Sequence, residues 1–416
     1  MTYDLTRTSL ALWLTFASCA LVLVGIAPSQ ALLGLSLLIL VASRASLRLP
    51  PIKLPLALFL LGTLVAVAAS GDPLAGLPQI KKIYVFSQLL VAYSVLHETR
   101  IARWLVLTWA TLGAASAALG ILQFAGKLHQ IGESNGDAYS RYISARITGF
   151  MSHWYTFSVE EMMVLLMLGS FLLFSPAARR RAWLWWMLLA LMGVGVVLAE
   201  TRAVWIALVI GVAYLLWCWR PIAALAVPLC VACGILAAPA VLRQRAVSIV
   251  RPGQDDSNAF RAILIRTGLR MVEAHPWLGL GPEMPRKQFM QYLPADIPRP
   301  LPSGSYMHLH NLYLEYAAER GIPVLLLFLW LIAKILRDFI RGVRALPPGR
   351  DDRRFLLHGG IAVIISLLVE GMADVNMGDS EDLAIFLVVV ALGYNALGKD
   401  SAEGIAMDRS AISATS

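Results

Sequence analysis

An all-α protein that crosses a membrane many times is the fold class this sequence predicts, and three observations predict it. Its 416 residues are 58% hydrophobic and only 15% charged, its mean hydropathy is +0.69, and its apolar residues come in runs of membrane-span length. A helix rises ~1.5 Å per residue, so about 20 apolar residues cross ~30 Å of hydrocarbon. No soluble domain of this length has such a composition. The runs are long and uniformly apolar rather than ~10-residue segments of alternating character, which excludes a transmembrane β-barrel.

Twelve spans read along the chain: 9–26, 29–43, 54–70, 80–96, 102–125, 156–175, 182–199, 203–219, 221–241, 321–340, 355–373 and 380–397. The fourth is the weakest, because it opens on Lys81 and Lys82. No cleavage site follows the first run, and a second run begins at once, so a cleavable signal peptide is not expected. Lys and Arg crowd alternate loops: Arg44, Arg48 and Lys53; Arg100 and Arg103; Arg179 to Arg181; Arg220; then Lys334 through Arg354. The positive-inside rule places those loops, and both termini, in the cytoplasm. The opposite loop 371–382 is acidic, with Asp374, Asp379, Glu381 and Asp382.

The chain therefore divides into nine spans over 1–241, an external loop over 242–320 large enough for helices of its own, and three spans over 321–397. A cytoplasmic tail, 398–416, reads as disordered. The four cysteines all lie in or beside apolar runs, so Cys230-x-x-Cys233 reads as helix packing rather than redox or zinc chemistry. Membrane lipid, not nucleic acid, is the surroundings this composition implies.

Against that charge rule, basic residues on the external side are informative. Lys81, Lys82, Arg141, Arg146 and Arg202 sit on or near the external face, and Arg261, Arg266 and Arg270 lie in the long loop. An arginine presents a planar fork that matches phosphate oxygens, and two or three can hold a diphosphate. Arg202 sits at the junction of two apolar runs, two residues after Glu200. It reads as a functional cation, or as an interfacial arginine paired with Glu200. Residues 257–283 read as a helix stopped by Pro276. Arg266 and Arg270 stack on one face with Glu273 near enough to pair, and Arg261 lies about 140° away from Arg266. An amphipathic helix lying on lipid headgroups is the other reading of that segment.

Two of the seven histidines, His308 and His310, stand beside Asn311 at the mouth of the tenth span. If 305–310 is extended, both point to one side, and a helix begins near Asn311. Three readings compete. A metal site would need a third ligand, and Glu315 and Glu319 lie around the helix from His310. A structural pair hydrogen-bonded at the interface is the second. The third is a general base, for which imidazole has the suitable ordinary pKa.

Four stretches carry a family resemblance: "HNLYLEYAAERGIP", "RAILIRTGLRMVEAHPWLGLGPE", "AETRAVWIALVIG" and "RITGFMSHWYTFS", the last without the Asn-Pro usual in that segment. In this order they resemble the O-antigen ligase and polymerase superfamily, and the single dominant external loop is most similar to that of the ligases. The resemblance implies a GT-C-like fold. It also implies inverting glycosyl transfer without metal or other cofactor, at the periplasmic face of a Gram-negative inner membrane. The implied donor is O-antigen on undecaprenyl diphosphate, and the implied acceptor is a sugar hydroxyl of lipid A–core. It makes His310 the catalytic base, with Arg202, Arg261 and Arg266 at the diphosphate. Ile265 stands where a tryptophan is expected, which favours Arg266 over Arg261. Lys81, Lys82, Arg141, Arg146, His308 and Asn311 are the implied substrate-binding residues. A polymerase or protein-glycosylating relative is the alternative within the superfamily, and a transporter of lipid-linked glycan or anions is the alternative outside it.

Overall fold

The computed structural model describes residues 2–131, 145–247, 256–301 and 308–398, and among these the chain is helical with no strand. Thus Arg141 and the tail 399–416 lie outside the described residues. The helices are α1 (Thr2–Leu21), α2 (Ile26–Ala42), α3 (Lys53–Ala69), α4 (Leu77–Val95), α5 (Thr99–Ile131), α6 (Trp154–Phe174), α7 (Ala182–Leu198) and α8 (Arg202–Trp219). There follow α9 (Pro221–Ala224), α10 (Ala226–Ala237), α11 (Ala240–Val247), α12 (Asp256–Ala274), α13 (Met284–Tyr292), α14 (Leu312–Ala345), α15 (Asp352–Glu370) and α16 (Ser380–Leu397).

Each expected span falls on a helix, the ninth being split at Leu225 into α9 and α10. Four described helices are long and apolar enough to cross a membrane: α5, α6, α8 and α16. Five shorter apolar helices accompany them, at Ser9–Leu21, Ile26–Ala42, Lys53–Ala69, Ala182–Leu198 and Pro221–Ala237.

Helix α6 is the centre of the bundle. Nearly all of its side chains are buried, and α15 packs against both α6 and α8. Close approach depends on small residues, as expected where packing rather than hydrophobicity joins helices in lipid. A Cβ on Gly393 of α16 would come within 2.1 Å of the Phe339 ring of α14.

The basic loops gather at one end of the bundle. There Arg103 pairs with Asp352, and the Asp351 N–H donates to the Phe174 carbonyl. The segments carrying the candidate site residues gather at the other end, where Lys82 donates to the Gly378 carbonyl and Thr156 Oγ1 donates to Asp379 Oδ2 at 2.8 Å.

One break in α14 positions the site. Gly321 has φ 80 and ψ 163 inside the helix, followed by Pro323. Glycine populates positive φ without the Cβ penalty, and proline removes a donor, so the helix ladder is interrupted here. The freed groups are taken up by the loop after α12. Leu280 N–H donates to Ala318 O at 2.8 Å, Gly281 N–H to Glu319 O at 2.9 Å, and Ile322 N–H to Pro276 O at 2.8 Å. A Cβ on Gly279 would lie 2.3 Å from the Glu319 carbonyl carbon. The stretch "PWLGLG" is therefore a clasp around "ERGIP".

Candidate active site

His310 stands at the turn into α14 with φ 48, a left-handed conformation uncommon outside glycine. The extended segment expected through 310 therefore fails at His310. Instead of sharing one side, the two histidines meet different carboxylates. His310 Nδ1 lies 3.0 Å from Asp374 Oδ1, on the loop after α15. His308 Nδ1 lies 3.7 Å from Glu315 Oε1, and this contact, the largest influence on it, holds the His308 imidazole above the ordinary histidine range. Glu315 also accepts the Leu309 N–H at 2.7 Å, so it fixes the approach to the helix. The Phe260 ring meets the His310 ring edge-on, with centroids 5.9 Å apart.

Asn311 caps α14. Its Oδ1 accepts from Leu314 N at 2.9 Å and its Nδ2 donates to Met372 O at 2.9 Å, while Leu312 N–H donates to Gly371 O at 2.8 Å. This work for the fold occupies the side chain expected to bind substrate, and it ties the loop bearing Asp374 to the turn bearing His310. Facing a carboxylate, Nδ1 carries the proton, and the Nε2 lone pair is left as the basic position.

Structure separates the two arginines of α12. Arg266 is exposed, and its Nη2 donates to both carboxylate oxygens of Asp296, at 2.9 and 2.7 Å, holding that carboxyl below the usual carboxylate range. Arg261 is half-buried, one residue after the ring that meets His310, and close enough to Glu370 for their charges to interact. Arg266, which the resemblance favours, is thus the one turned to Asp296, and Arg261 the one beside Glu370.

Around the rim, Arg202 is buried at the first turn of α8. Two residues earlier, Glu200 faces Arg146, Nε to Oε2 3.9 Å, and Arg245. Burial lifts the Glu200 carboxyl to about 7, against the pull of those two cations. Arg146 also lies 5.2 Å over the Trp154 ring.

Lys81 is exposed, whereas Lys82 turns inward to line an apolar cleft between α3, α4, α14 and α16. Phe59, Phe86, Phe328 and Phe386 are among its walls, and Gln79 and Arg320 join Lys82 among its lining residues. Arg320 is 3% exposed. It pairs with Glu319 at 3.0 Å, donates to Gln79 Oε1 at 3.2 Å and lies 4.2 Å over the Tyr316 ring.

Asp374, Arg245 and Arg320 were not singled out from the sequence. Asp374 was visible only as one acid of the external loop, and the other two only as cations among many. Among the described residues no group of three or more His, Cys, Asp and Glu side chains is placed to hold a metal ion.

No curated protein matches the chain. Residues 187–329 match the family model Wzy_C, O-Antigen ligase, a stretch that holds Arg202, Arg261, Arg266, His308, His310 and the clasped break at Gly321, but not Lys82, Arg146 or Asp374. Over those residues the chain is similar to the O-antigen ligase family, which supports the resemblance its motifs carry.

Proposed function

We propose that this protein is an inverting, metal-independent glycosyltransferase that moves O-antigen from undecaprenyl diphosphate to a sugar hydroxyl of lipid A–core at the periplasmic face of the inner membrane. The observation that carries the reading is the His310–Asp374 pair, 3.0 Å apart, at the head of a helix clasped in place, with Arg261 close by. The acceptor hydroxyl gives its proton to His310 Nε2, and its oxygen attacks the anomeric carbon. The bond from that carbon to the phosphate oxygen breaks, and undecaprenyl diphosphate leaves. Asp374 holds the ring and stabilises the imidazolium that forms.

Charge building on the leaving phosphate needs preorganised cations. Arg261 and Arg202 are our choices, with Arg146 and Arg245 at the rim and Arg266 outside the machinery. The apolar cleft headed by Lys82 and Arg320 suits a single hydrocarbon chain bearing phosphate, which is the form of the donor rather than of a many-chained acceptor.

Purified protein given lipid-linked glycan and core glycolipid, with no ion gradient, should form the covalent product. Movement of donor across proteoliposomes with no covalent product would establish the transporter reading. Lengthening of the lipid-linked glycan in the absence of core acceptor would establish the polymerase reading.

A further inference from the structure

The segment before α6 holds a third imidazole. His153 is the N-cap of α6, where its Nδ1 accepts the Tyr155 N–H at 3.2 Å. Helix caps are usually Ser, Thr, Asp or Asn. In a stretch that lacks the Asn-Pro of the resembled family, a ring nitrogen does this work. The consequence is chemical: with its lone pair committed at Nδ1, neutral His153 has one polar atom left, the Nε2–H, and that atom can only donate.

The ring is also held firmly. It lies against Trp154 with the rings tilted by 31° and centroids 4.0 Å apart, and Arg146 covers Trp154 in turn. Residues 146–150 are pinned to α5: Gln123 Oε1 accepts the Thr148 and Gly149 N–H groups at 3.1 Å each, Ser116 Oγ accepts the Phe150 N–H at 3.0 Å, and Lys127 donates to the Arg146 carbonyl at 2.6 Å. Gly149 has φ 55, and a Cβ there would lie 2.2 Å from Ser116 Oγ. An exposed donor on so rigid a support is preorganised for a ligand.

Its surroundings select the ligand. His153 feels the carboxylates of Asp379 and Asp374, the latter being the partner of His310, and the cation Arg146. Two acids beside it repel a diphosphate but suit a neutral polyhydroxyl group. Partial burial is the largest influence on the ring and holds it below the ordinary histidine range, so it stays neutral at physiological pH.

We propose that His153 donates a hydrogen bond from Nε2 to a hydroxyl of the acceptor sugar, next to the one that attacks, and so selects the acceptor. This rests on the transfer reading above. It concerns the acceptor rather than the donor because Thr156, in the first turn of the helix that His153 caps, donates to Asp379 at 2.8 Å, on the loop that also bears Asp374, the partner of the base.

The test uses full-length protein with two variants. His153→Ser keeps an uncharged cap oxygen but is too short to reach a ligand, and His153→Asn keeps both the cap and a longer donor. Initial rates are measured with acceptor varied at saturating donor, then the reverse, alongside the melting temperature. The expected result is His153→Ser melting as the wild type with acceptor KM raised about 3- to 10-fold, the scale of one neutral hydrogen bond. Its donor KM and kcat should stay within about twofold, and His153→Asn should recover most of the loss. An unchanged acceptor KM with active wild type, with or without a drop in melting temperature, overturns this inference and leaves the transfer reading standing. A rise confined to donor KM moves the contact to the donor and overturns it too. If the wild type makes no product, both fall together.

Discussion

Replacing Asp374 by Asn tests the proposed chemistry most directly. The amide keeps the side-chain volume and an oxygen to accept the Val375 N–H, which Asp374 Oδ1 now takes at 2.9 Å, so folding should survive. What is lost is the charge facing His310 Nδ1 at 3.0 Å. The two side chains are 25% and 22% exposed, sheltered enough that water does not replace the interaction fully. A hydrogen bond to a charged group contributes about 1.5–3 kcal/mol. If that stabilisation exists only once the imidazolium has formed, kcat should fall about 10- to 150-fold. Donor affinity should hold, because nothing charged is removed from the arginine side. The assay is initial transfer rate at saturating donor and acceptor, with donor binding measured separately. Turnover within about twofold of wild type would refute the dyad, whatever the fate of His310 variants.

Other outcomes follow from the same geometry. His310→Ala should lose about 10²- to 10⁴-fold in rate with donor binding intact, whereas His308→Ala, whose ring is occupied with Glu315, should be milder; the reverse order would exchange their roles. Arg261→Ala should lose about 3 kcal/mol of transition-state stabilisation and Arg266→Ala little, since its Nη2 is already engaged by Asp296; equal losses would sink the distinction drawn between them. Transfer should survive EDTA without stimulation by Mg²⁺ or Mn²⁺, and silencing by chelation with rescue by a divalent ion would revive a metal reading of His308 and His310. Glu200, with its carboxyl lifted to about 7, binds in the folded state a proton that the unfolded chain releases above about 4.5. Its contribution to stability is therefore full at low pH, declines as pH rises towards 7 and is flat above; Glu200→Gln should remove that part of the slope in melting temperature between pH 5 and 8, and an unchanged slope would refute the assignment.

How much of this was legible depended on the range of the interaction. Helix positions follow from local hydropathy, and the basic loops separate by simple counting, so every expected span meets a helix. The start of α14 near Asn311 was likewise readable from its own residues. The carboxylate of His310 was not, because Asp374 lies 64 residues away across α14 and α15, and hydropathy patterns carry no pairing information between loops. The different surroundings of Arg261 and Arg266 were not legible for a related reason. Helical geometry showed that they face different ways, but which face meets the bundle is decided by the clasp between 276–281 and the break at Gly321. Both motifs were visible as motifs; only the backbone hydrogen bonds between them show why they belong together.

That clasp also constrains what each cation can do. From Leu312 to Arg320 the helix advances roughly 12 Å, so the base at its head and the cleft at its break stand at different depths. A diphosphate is too short to span that distance. Arg320 and Lys82 therefore cannot share the leaving phosphate with Arg261 while His310 contacts the acceptor, unless the donor shifts along the helix. They suit instead the lipid end of the donor, and losing either should weaken donor binding more than turnover. The prediction is that Arg320→Gln, which preserves polarity against Gln79 and Tyr316, raises donor KM with kcat largely unchanged, opposite to Asp374→Asn. Because Arg320 is buried against Glu319 at 3.0 Å, the variant leaves a buried carboxylate without its cation, and Glu319→Gln in the same chain should restore folding but not donor affinity. Recovery of both by the second change would mean that Arg320 serves only its salt bridge, and the cleft would lose its claim on the lipid end of the donor.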